Sequence, residues 1–355
     1  MKLGLVITDD WELFGDGSGD YFRLQHDPAL ALLDACDQNG AKLTLMAEVA
    51  QYWAHQRIPD GKKIVEAWEQ ILQQAIRRGH DVQLHLHPQW DGATYDGRWH
   101  LDLAKWSLTN LPADKMHELL QRGKQTLETL LGHRVTGFRA GNWILKPSNP
   151  AMDTLSKLGF RGDTSVVPGY TVEGSFGSVN YRDAASDYRP WFADSDDVAR
   201  VAPRTPATLV EFPIYTERWP AWKWKSGEKR ARLAKVSQEE SRRAGRSFTA
   251  QPSRARQIWQ KINKAVAGVR VQFDHAQLSP TEMLEMTRRL VGKLPAGDGV
   301  VPVVMISHTK SMMGSDDLAT YLRQARQEFG ETLTFLTFRD AIELMHQPNS
   351  PALTC

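Results

Sequence analysis

The sequence predicts an α/β fold built on a parallel β-sheet that is either open or closed into a barrel. Short apolar runs, rich in β-branched and aromatic residues, alternate along the chain with longer segments of helical period. Strands that alternate with long helices are typical of βαβ units, which form parallel sheets. The 24% of charged residues is also ordinary for a globular protein of this class.

Nine segments are predicted strands, because each is brief and is bounded by glycine, proline or polar residues. These segments are 2–10, 41–49, 80–87, 135–141, 161–166, 208–216, 268–275, 300–308 and 332–338.

The helices between them have recognisable ends. Ser279-Pro280-Thr281-Glu282 predicts a capping box with proline at the first helical position. The helical run 65–79 ends in two arginines and Gly79, which suits the helix dipole and a left-handed C-terminal cap.

Length and composition restrict the class of protein. The 355 residues are expected to form a single domain, and two cysteines cannot build a disulfide framework or a thiolate zinc site. Lys+Arg 44 against Asp+Glu 42 gives +2, so no nucleic-acid partner is expected. A leader segment and a run of 18 apolar residues are both missing from the sequence, which predicts a cytoplasmic protein without a transmembrane segment.

Segment 222–264 breaks the alternation. It holds thirteen Lys/Arg against three Glu, or +10, so the rest of the chain carries −8. We expect a basic helical insertion in the domain, which would contact an anionic group such as phosphate or uronate, or a membrane surface. A solvated helical excursion without a partner is the alternative.

Polar residues gather where the predicted strands end. Catalytic groups on a parallel α/β scaffold lie at the carboxyl ends of the strands, where the loops converge. The residues at these ends are Asp9, Asp10, His85, His87, Arg139, Asp163 and His308.

The pairs at the first and third strand ends suggest a metal site. Asp9 and Asp10 would point to opposite sides of a strand, so one could bind a metal while the other faces a water. His85 and His87, two residues apart, would present both imidazoles on one face as nitrogen ligands. A turn or helix cap at the aspartates, and a hydrogen-bonded histidine pair, are the structural alternatives.

Two further residues could serve catalysis. His308 has the side chain of a general acid, since its unperturbed pKa lies near neutrality. Arg139 could orient a carboxylate by a bidentate contact. A structural histidine and a surface arginine are the corresponding alternatives.

In order along the chain, these motifs resemble the polysaccharide deacetylase superfamily, also called the NodB-homology or carbohydrate esterase family 4 fold. Thr8-Asp9-Asp10-Trp11 is similar to its TFDDG motif, with Trp in place of Gly. Gly79-His80 followed by His85 is similar to its second motif, except that Gln89 stands where the next histidine is usual. Arg139, Asp163 and Ile306-Ser307-His308 match its later motifs, although the proline after the arginine is missing.

The resemblance implies a distorted (β/α)7 barrel and metal-assisted hydrolysis of an N-acetyl group on a carbohydrate. It implies Asp9 as the catalytic base, His308 as the general acid, and Arg139 and Asp163 as their partners. The implied metal ligands are Asp10, His85 and His87. Mixed nitrogen and oxygen ligands favour Zn²⁺, with Mn²⁺, Co²⁺ or Ni²⁺ as alternatives.

The substrate is expected to be a sugar intermediate or a precursor of a surface polysaccharide. Another hydrolase on the same barrel, acting on a glycosidic or non-sugar amide bond, is a second hypothesis. A non-catalytic protein that binds a glycan or polyanion is a third. The oligomeric state does not follow from the sequence.

Overall fold

The computed structural model describes residues 1–174, 177–224, 268–311 and 315–354. Within these ranges the main sheet has nine strands, which are β1 (Lys2–Trp11), β2 (Leu43–Glu48), β3 (Asp81–Leu86), β6 (Gly137–Ala140), β7 (Gly162–Asp163), β10 (Trp191–Phe192), β11 (Val210–Glu211), β14 (Val300–Met305) and β15 (Leu333–Phe335). Their order in the sheet is β10-β11-β7-β6-β3-β2-β1-β14, with β15 paired to β1.

The sheet is parallel, apart from its antiparallel edge strand β10. It also curls. An isolated parallel bridge joins Ile214, just beyond β11, to Val304 in β14, and the Tyr215 amide donates to the Val304 carbonyl at 3.1 Å. The predicted α/β class and parallel sheet are therefore confirmed, in the form of a curled half-barrel.

Helices cover the outside of this sheet and close one end of its interior. Their bounds are α1 (Asp27–Gln38), α2 (Val49–Gln56), α3 (Lys62–Arg77), α4 (Ala113–Leu131), α5 (Ala151–Lys157), α6 (Ala221–Trp224), α7 (Pro280–Lys293), α8 (Asp316–Phe329) and α9 (Phe338–Met345). The predicted capping box is confirmed: the Ser279 side chain accepts from the Glu282 amide, and the Glu282 side chain from the Ser279 amide.

Three two-stranded antiparallel sheets are added to this scaffold within the described ranges. They are β4 (Thr94–Tyr95) with β5 (Trp99–His100), β8 (Thr171–Gly174) with β9 (Gly177–Asn180), and β12 (Thr216–Trp219) with β13 (Val269–Gln272). The predicted strand 268–275 therefore pairs mainly with β12, and a bridge between Asp274 and Ile306 connects it to the residue after β14.

Most of the basic insertion predicted for 222–264 lies outside the described residues, which include only 222–224 of it. Among the described helices, none is long and apolar enough to cross a membrane.

The interior of the half-barrel has an apolar end and a polar end. At the amino ends of the strands, Phe338 and Ile342 of α9 pack in one buried cluster with Val6, Met46 and Val304. Successive residues of a strand alternate between its faces, so the face that carries Val6 in β1 also carries Asp10 near the other end. Helix α9 thus fills the bottom of the interior with hydrocarbon and leaves the polar groups to the carboxyl end.

Candidate active site

Asp10 lies on the interior face of β1, in contact with three side chains. Its Oδ1 accepts a hydrogen bond from Arg139 Nη1 at 2.5 Å, and its Oδ2 accepts one from Trp143 Nε1 at 3.2 Å. His308 Nε2 lies 3.4 Å from the same Oδ2. Asp10 and Arg139 are both completely buried or nearly so.

Burial alone would raise the pKa of Asp10, but Arg139, His85 and His308 lower it to about 2. The carboxylate is therefore ionised at neutral pH.

Arg139 is held in place by the strand end beside it. Its Nε donates to the Thr164 carbonyl at 2.9 Å, and its Nη2 donates to the hydroxyls of Thr8 and Thr164. The guanidinium is thus fixed in direction before it meets Asp10. The structure brings these two predicted site residues together.

A second group of side chains, next to Asp10, could hold a metal ion. One potential ligand atom from each of Glu12, Glu48, His85 and His87 lies within 4.8 Å of the others, and all four residues are buried. His87 Nε2 is 2.6 Å from Glu12 Oε2 and 3.1 Å from His85 Nε2. Two imidazole nitrogens and a carboxylate oxygen therefore converge on one point.

Both imidazoles are oriented by contacts on their other nitrogen. His85 Nδ1 is 2.9 Å from the Arg139 carbonyl, which can only accept, so Nδ1 carries a proton and Nε2 is the nitrogen that would bind a metal once it is deprotonated. His87 Nδ1 is 3.0 Å from the Gln89 amide nitrogen, while Gln89 Oε1 has no partner among the described residues. The oxygen and nitrogen of the Gln89 side-chain amide are nearly indistinguishable by shape. When the two are exchanged, Gln89 Oε1 accepts a hydrogen bond from His87 Nδ1, and His87 has the same tautomer as His85.

The two glutamates of this group differ in their surroundings. Glu48 caps α2: its Oε1 accepts from the Ala50 amide at 2.8 Å, and its Oε2 accepts from the His87 amide at 2.5 Å. Both oxygens are thus occupied by the backbone, and Glu48 holds the His87 segment against β2. Glu12 instead contacts His87 Nε2 and the Lys310 ammonium. It is the carboxylate best placed to bind a metal.

The electrostatics of the group favour a positive charge at its centre. Burial would raise the pKa of Glu12, but His87 and Lys310 hold it well below its usual range. Burial would lower the pKa of His85, yet Asp10 and Glu12 raise it to about 9. Without a cation the cluster retains a proton that a divalent ion would displace. The donor atoms, their convergence and this charge balance fit a metal of the zinc type.

His308 lies across from the imidazole pair. Its side chain is 18% exposed, and its ring centroid is 5.7 Å from that of Trp143. Burial lowers the pKa of His308 to about 4, against the opposing effect of Asp10. The imidazole is therefore neutral at pH 7 and available to accept a proton.

Asp9 is placed apart from the metal-capable group. Asp9 lies on the opposite face of β1, where its Oδ1 accepts a hydrogen bond from the Thr309 amide at 3.1 Å. Its buried Oδ2 has no hydrogen-bond partner among the described residues. Burial, together with Asp10, raises the pKa of Asp9 well above its usual value. The strand alternation that brings Asp10 to Arg139 turns Asp9 away from it.

Asp163 is also buried, but it contacts Ser165 and Glu211 rather than Asp10. Its Oδ1 accepts from the Ser165 hydroxyl at 2.8 Å, and Ser165 Oγ in turn accepts from the Ala140 amide at 2.9 Å. Asp163 therefore fixes the end of β6, one residue after Arg139. Burial raises the pKa of both Asp163 and Glu211.

Several residues of this site were not among the predicted ones: Glu12, Glu48, Gln89, Trp143 and Lys310. Glu12 had a usable signal, since it stands two residues after Asp10 and so shares its face of a strand. The contact of Trp143 with Asp10 had no sequence signal, because it depends on a left-handed backbone at Asn142 (φ 57°) and Trp143 (φ 58°) that only the structure reveals.

No protein-family model and no curated protein matches the chain. Solved structures that it resembles include a candidate polysaccharide deacetylase from Mycobacterium smegmatis, with 15% identity, a TM-score of 0.49, and 100% of this chain and 93% of that chain covered. A candidate polysaccharide deacetylase from Pseudomonas aeruginosa PAO1 has 11% identity, a TM-score of 0.46 and coverage of 98% and 92%. An allantoinase has the same identity and TM-score, with coverage of 98% and 91%.

All three likenesses are distant, with identities of 15% or less and TM-scores below 0.5.

Proposed function

We propose that the protein is a metal-dependent hydrolase that removes an N-acetyl group from a carbohydrate. The observation that carries this proposal is the convergence of His85 Nε2, His87 Nε2 and Glu12 Oε2 on one point, beside the buried pair of Asp10 and Arg139. Metal-assisted amide hydrolysis uses an ionised base, metal-binding imidazoles and a proton donor to the leaving amine. Asp10, the pair of His85 and His87, and the partly exposed His308 are groups of these types.

Glu12, His85 and His87 would hold the metal, with zinc as the first choice for this donor set. When bound there, a divalent ion supplies a Lewis acid for the amide carbonyl oxygen and for a water. This assignment differs from the expected one, in which Asp10 was a ligand and Asp9 the base. The reason is geometric, because Asp10 is engaged by Arg139 and Asp9 belongs to the other face of the strand.

In the proposed mechanism Asp10 is the general base. Its carboxylate accepts a proton from the attacking water, while Arg139 keeps it ionised and correctly directed. His308, neutral at the start and 3.4 Å from Asp10, takes this proton and delivers it to the amine nitrogen as the C–N bond breaks. One proton thus passes from water to the leaving amine, and acetate is released. Asp163 acts as a positioning residue through Ser165 and β6.

The proposal also covers the domain organisation of the chain, its basic insertion, its location and its substrate. We take residues 1–355 as one deacetylase-type distorted (β/α)7 barrel, with 222–264 as its basic insertion. We assign that insertion to an anionic or phosphate-bearing part of the substrate, or to contact with a membrane surface. A cytoplasmic location and a sugar intermediate as substrate belong to the same proposal.

Metal analysis and product detection test the proposal. Purified protein is expected to contain about one divalent ion per chain, and a His85→Ala/His87→Ala variant to contain none. Wild type is expected to release acetate from N-acetylated sugars. Metal without acetate release from any N-acetyl sugar would indicate another hydrolase on this scaffold. Absence of metal after zinc and cobalt are added would indicate a binding protein.

A further inference from the structure

A pocket of about 440 Å³ lies away from the candidate active site, where β12 and β13 meet the last turns of α7. Its basic lining side chains are Arg218, Lys223, Arg270, Arg289 and Lys293. Among the residues that line it, none belongs to the metal-capable group. The proposed hydrolysis therefore does not account for this pocket.

The pocket lies on the outer side of the sheet. Ile214, just before β12, belongs to the buried interior cluster that also contains Val304. The next residue, Tyr215, faces the other way: its ring lies edge-on to that of Phe273, and Lys293 Nζ is 3.5 Å from its hydroxyl. A ligand in the pocket would thus be on the opposite side of the sheet from Asp10.

Two pairs of like charges converge on the pocket. Arg218 and Arg270 are directly opposite each other in the antiparallel pairing of β12 with β13, so their side chains lie on one face of that sheet. Arg289 and Lys293 are four residues apart on α7, so they lie on one face of the helix. Like charges in either arrangement are destabilising, and an anion bound between them would offset the repulsion.

The buried carboxylate of the pocket is already occupied. Glu217 is 7% exposed, and it accepts hydrogen bonds from Arg289 Nε at 2.8 Å, from Trp219 Nε1 at 3.0 Å and from the Tyr215 hydroxyl. These contacts hold the Arg289 guanidinium in place. They also satisfy both Glu217 oxygens, so this carboxylate is bound to its own partners.

Two further carboxylates neutralise only part of the remaining charge. Asp187 Oδ1 accepts from Arg270 Nη1 at 2.8 Å, and Glu285 contacts the Lys223 ammonium. The Lys293 ammonium has no carboxylate partner among the described residues. With Glu217, three carboxylates face five basic groups, which leaves an excess of two positive charges.

Arg270 is held in position before any ligand arrives. Besides its contact with Asp187, its Nη1 donates to Thr216 Oγ1 at 3.0 Å. A Cβ atom at Gly169 would lie 2.0 Å from Arg270 Nε, so the glycine leaves the room that this side chain occupies. The Arg270 side chain is still 26% exposed, which keeps it accessible. A positioned guanidinium loses little freedom when it binds an anion.

A phosphoryl group matches these features. It carries about −1.5 to −2 charges at neutral pH and three acceptor oxygens, so it can bind guanidinium and ammonium groups of different elements at once. A carboxylate offers one charge and two oxygens. The chain also leaves β12 into the basic segment 222–264 and returns from it into β13, and the +10 of that segment adds to the attraction of an anion.

We propose that this pocket binds a phosphoryl group, with Arg218, Arg270, Arg289 and Lys293 as its partners. The group would belong to a soluble phosphate compound or to the headgroup of an acidic phospholipid. The proposal does not rest on the proposed function, because the pocket shares no residue with the metal-capable group.

Isothermal titration calorimetry of the full-length protein with inorganic phosphate and with pyrophosphate tests the soluble source. Lys293→Gln and Arg270→Gln are each expected to weaken binding at least about tenfold, the usual effect of losing a hydrogen bond to a charged group. Arg288→Gln is the matched control. It removes the same charge from the same helix, but Arg288 pairs with Glu328 and does not line the pocket, so affinity should not change.

Co-sedimentation with vesicles tests the lipid source. The vesicles contain phosphatidylcholine alone or phosphatidylcholine mixed with phosphatidic acid. Binding to the mixed vesicles that Lys293→Gln and Arg270→Gln reduce at least about tenfold, and that Arg288→Gln leaves unchanged, would identify a lipid headgroup. The same pattern in calorimetry alone would identify a soluble phosphate compound. Either pattern supports the proposal.

Lys293→Gln also guards against a folding defect, since Lys293 is exposed and its melting temperature without phosphate should match that of wild type. The absence of binding in both assays, or binding that Arg288→Gln weakens as much as the pocket variants do, would overturn the proposal. Phosphate binding that depends on Lys293 in a protein that releases no acetate would leave this inference standing and remove the proposed function.

Discussion

Two pairs of buried carboxyl groups in the half-barrel behave in opposite ways. Asp10 and Glu12 face Arg139, Lys310 and the histidines, and their pKa values fall despite burial. Asp163 and Glu211 face each other on neighbouring strands, and burial raises the pKa of both. Desolvation acts on all four groups, so the difference comes from the cations beside the first pair and from the repulsion that Asp163 adds at Glu211. The first pair is the one to which we assign base catalysis and metal binding, and the second pair, with raised pKa values, joins β7 to β11.

The largest effect on bound metal and activity is expected from a substitution of Glu12, the residue of the first pair that we propose binds the metal. Glu12→Gln removes the charged ligand and leaves Lys310 facing the two imidazoles, so bound metal and hydrolytic activity should both be lost. Elemental analysis of the purified variant measures this directly. Glu282→Gln, which can keep its capping box, is the control. A Glu12→Gln protein with a full metal complement would show that Glu48 or another group is the carboxylate ligand.

The next effect separates the two faces of β1. Asp10→Asn should retain metal and lose about 10²–10⁴-fold in kcat, the usual contribution of a general base. Asp9→Asn should change kcat by less than about threefold, because the Asp9 carboxyl has a raised pKa and an amide of the same shape can replace it. Steady-state acetate release compares the pair. The reverse order of the two variants would restore Asp9 as the base.

A smaller effect, on metal affinity, is expected from Gln89, which stands where the family that the sequence motifs resemble usually has a histidine. Gln89→Leu removes the contact that orients His87 and should weaken metal affinity by about 10–100-fold while the protein stays folded. Competition with a chromophoric chelator measures the affinity. An unchanged dissociation constant would show that His87 is oriented by other contacts, such as the one from Glu48 to its amide.

The second carboxyl pair gives the smallest effect, on stability. A carboxyl group whose pKa is raised in the folded state makes the unfolded chain bind fewer protons than the native protein, so stability falls as pH rises above the unfolded value of about 4.3. Glu211→Gln removes this loss. Its stability relative to wild type should therefore increase from pH 5 to pH 8 in urea denaturation. A constant difference across this range would mean that Glu211 is ionised in the native state.

Much of the fold and part of the site could be predicted from the chain alone. Strands β1, β2, β3, β6 and β14 lie within predicted segments to within a residue or two, because their apolar and β-branched runs are bounded by clear turn signals. The predicted pair of His85 and His87 does share one face, since that follows from a period of two.

What the sequence by itself determined is which residues stand at strand ends and which of them share a face, since both depend on neighbours along the chain. Only the tertiary structure decided the partners across the interior: Arg139 contacts Asp10 across 129 positions, and Lys310 contacts Glu12 across 298. Those contacts between distant strands decide which carboxylate is ionised and which is free for a metal. Asp9 and Asp10 are the same residue type at adjacent positions of the chain. The tertiary structure gives their carboxyl groups different electrostatic surroundings, so their pKa values shift in opposite directions.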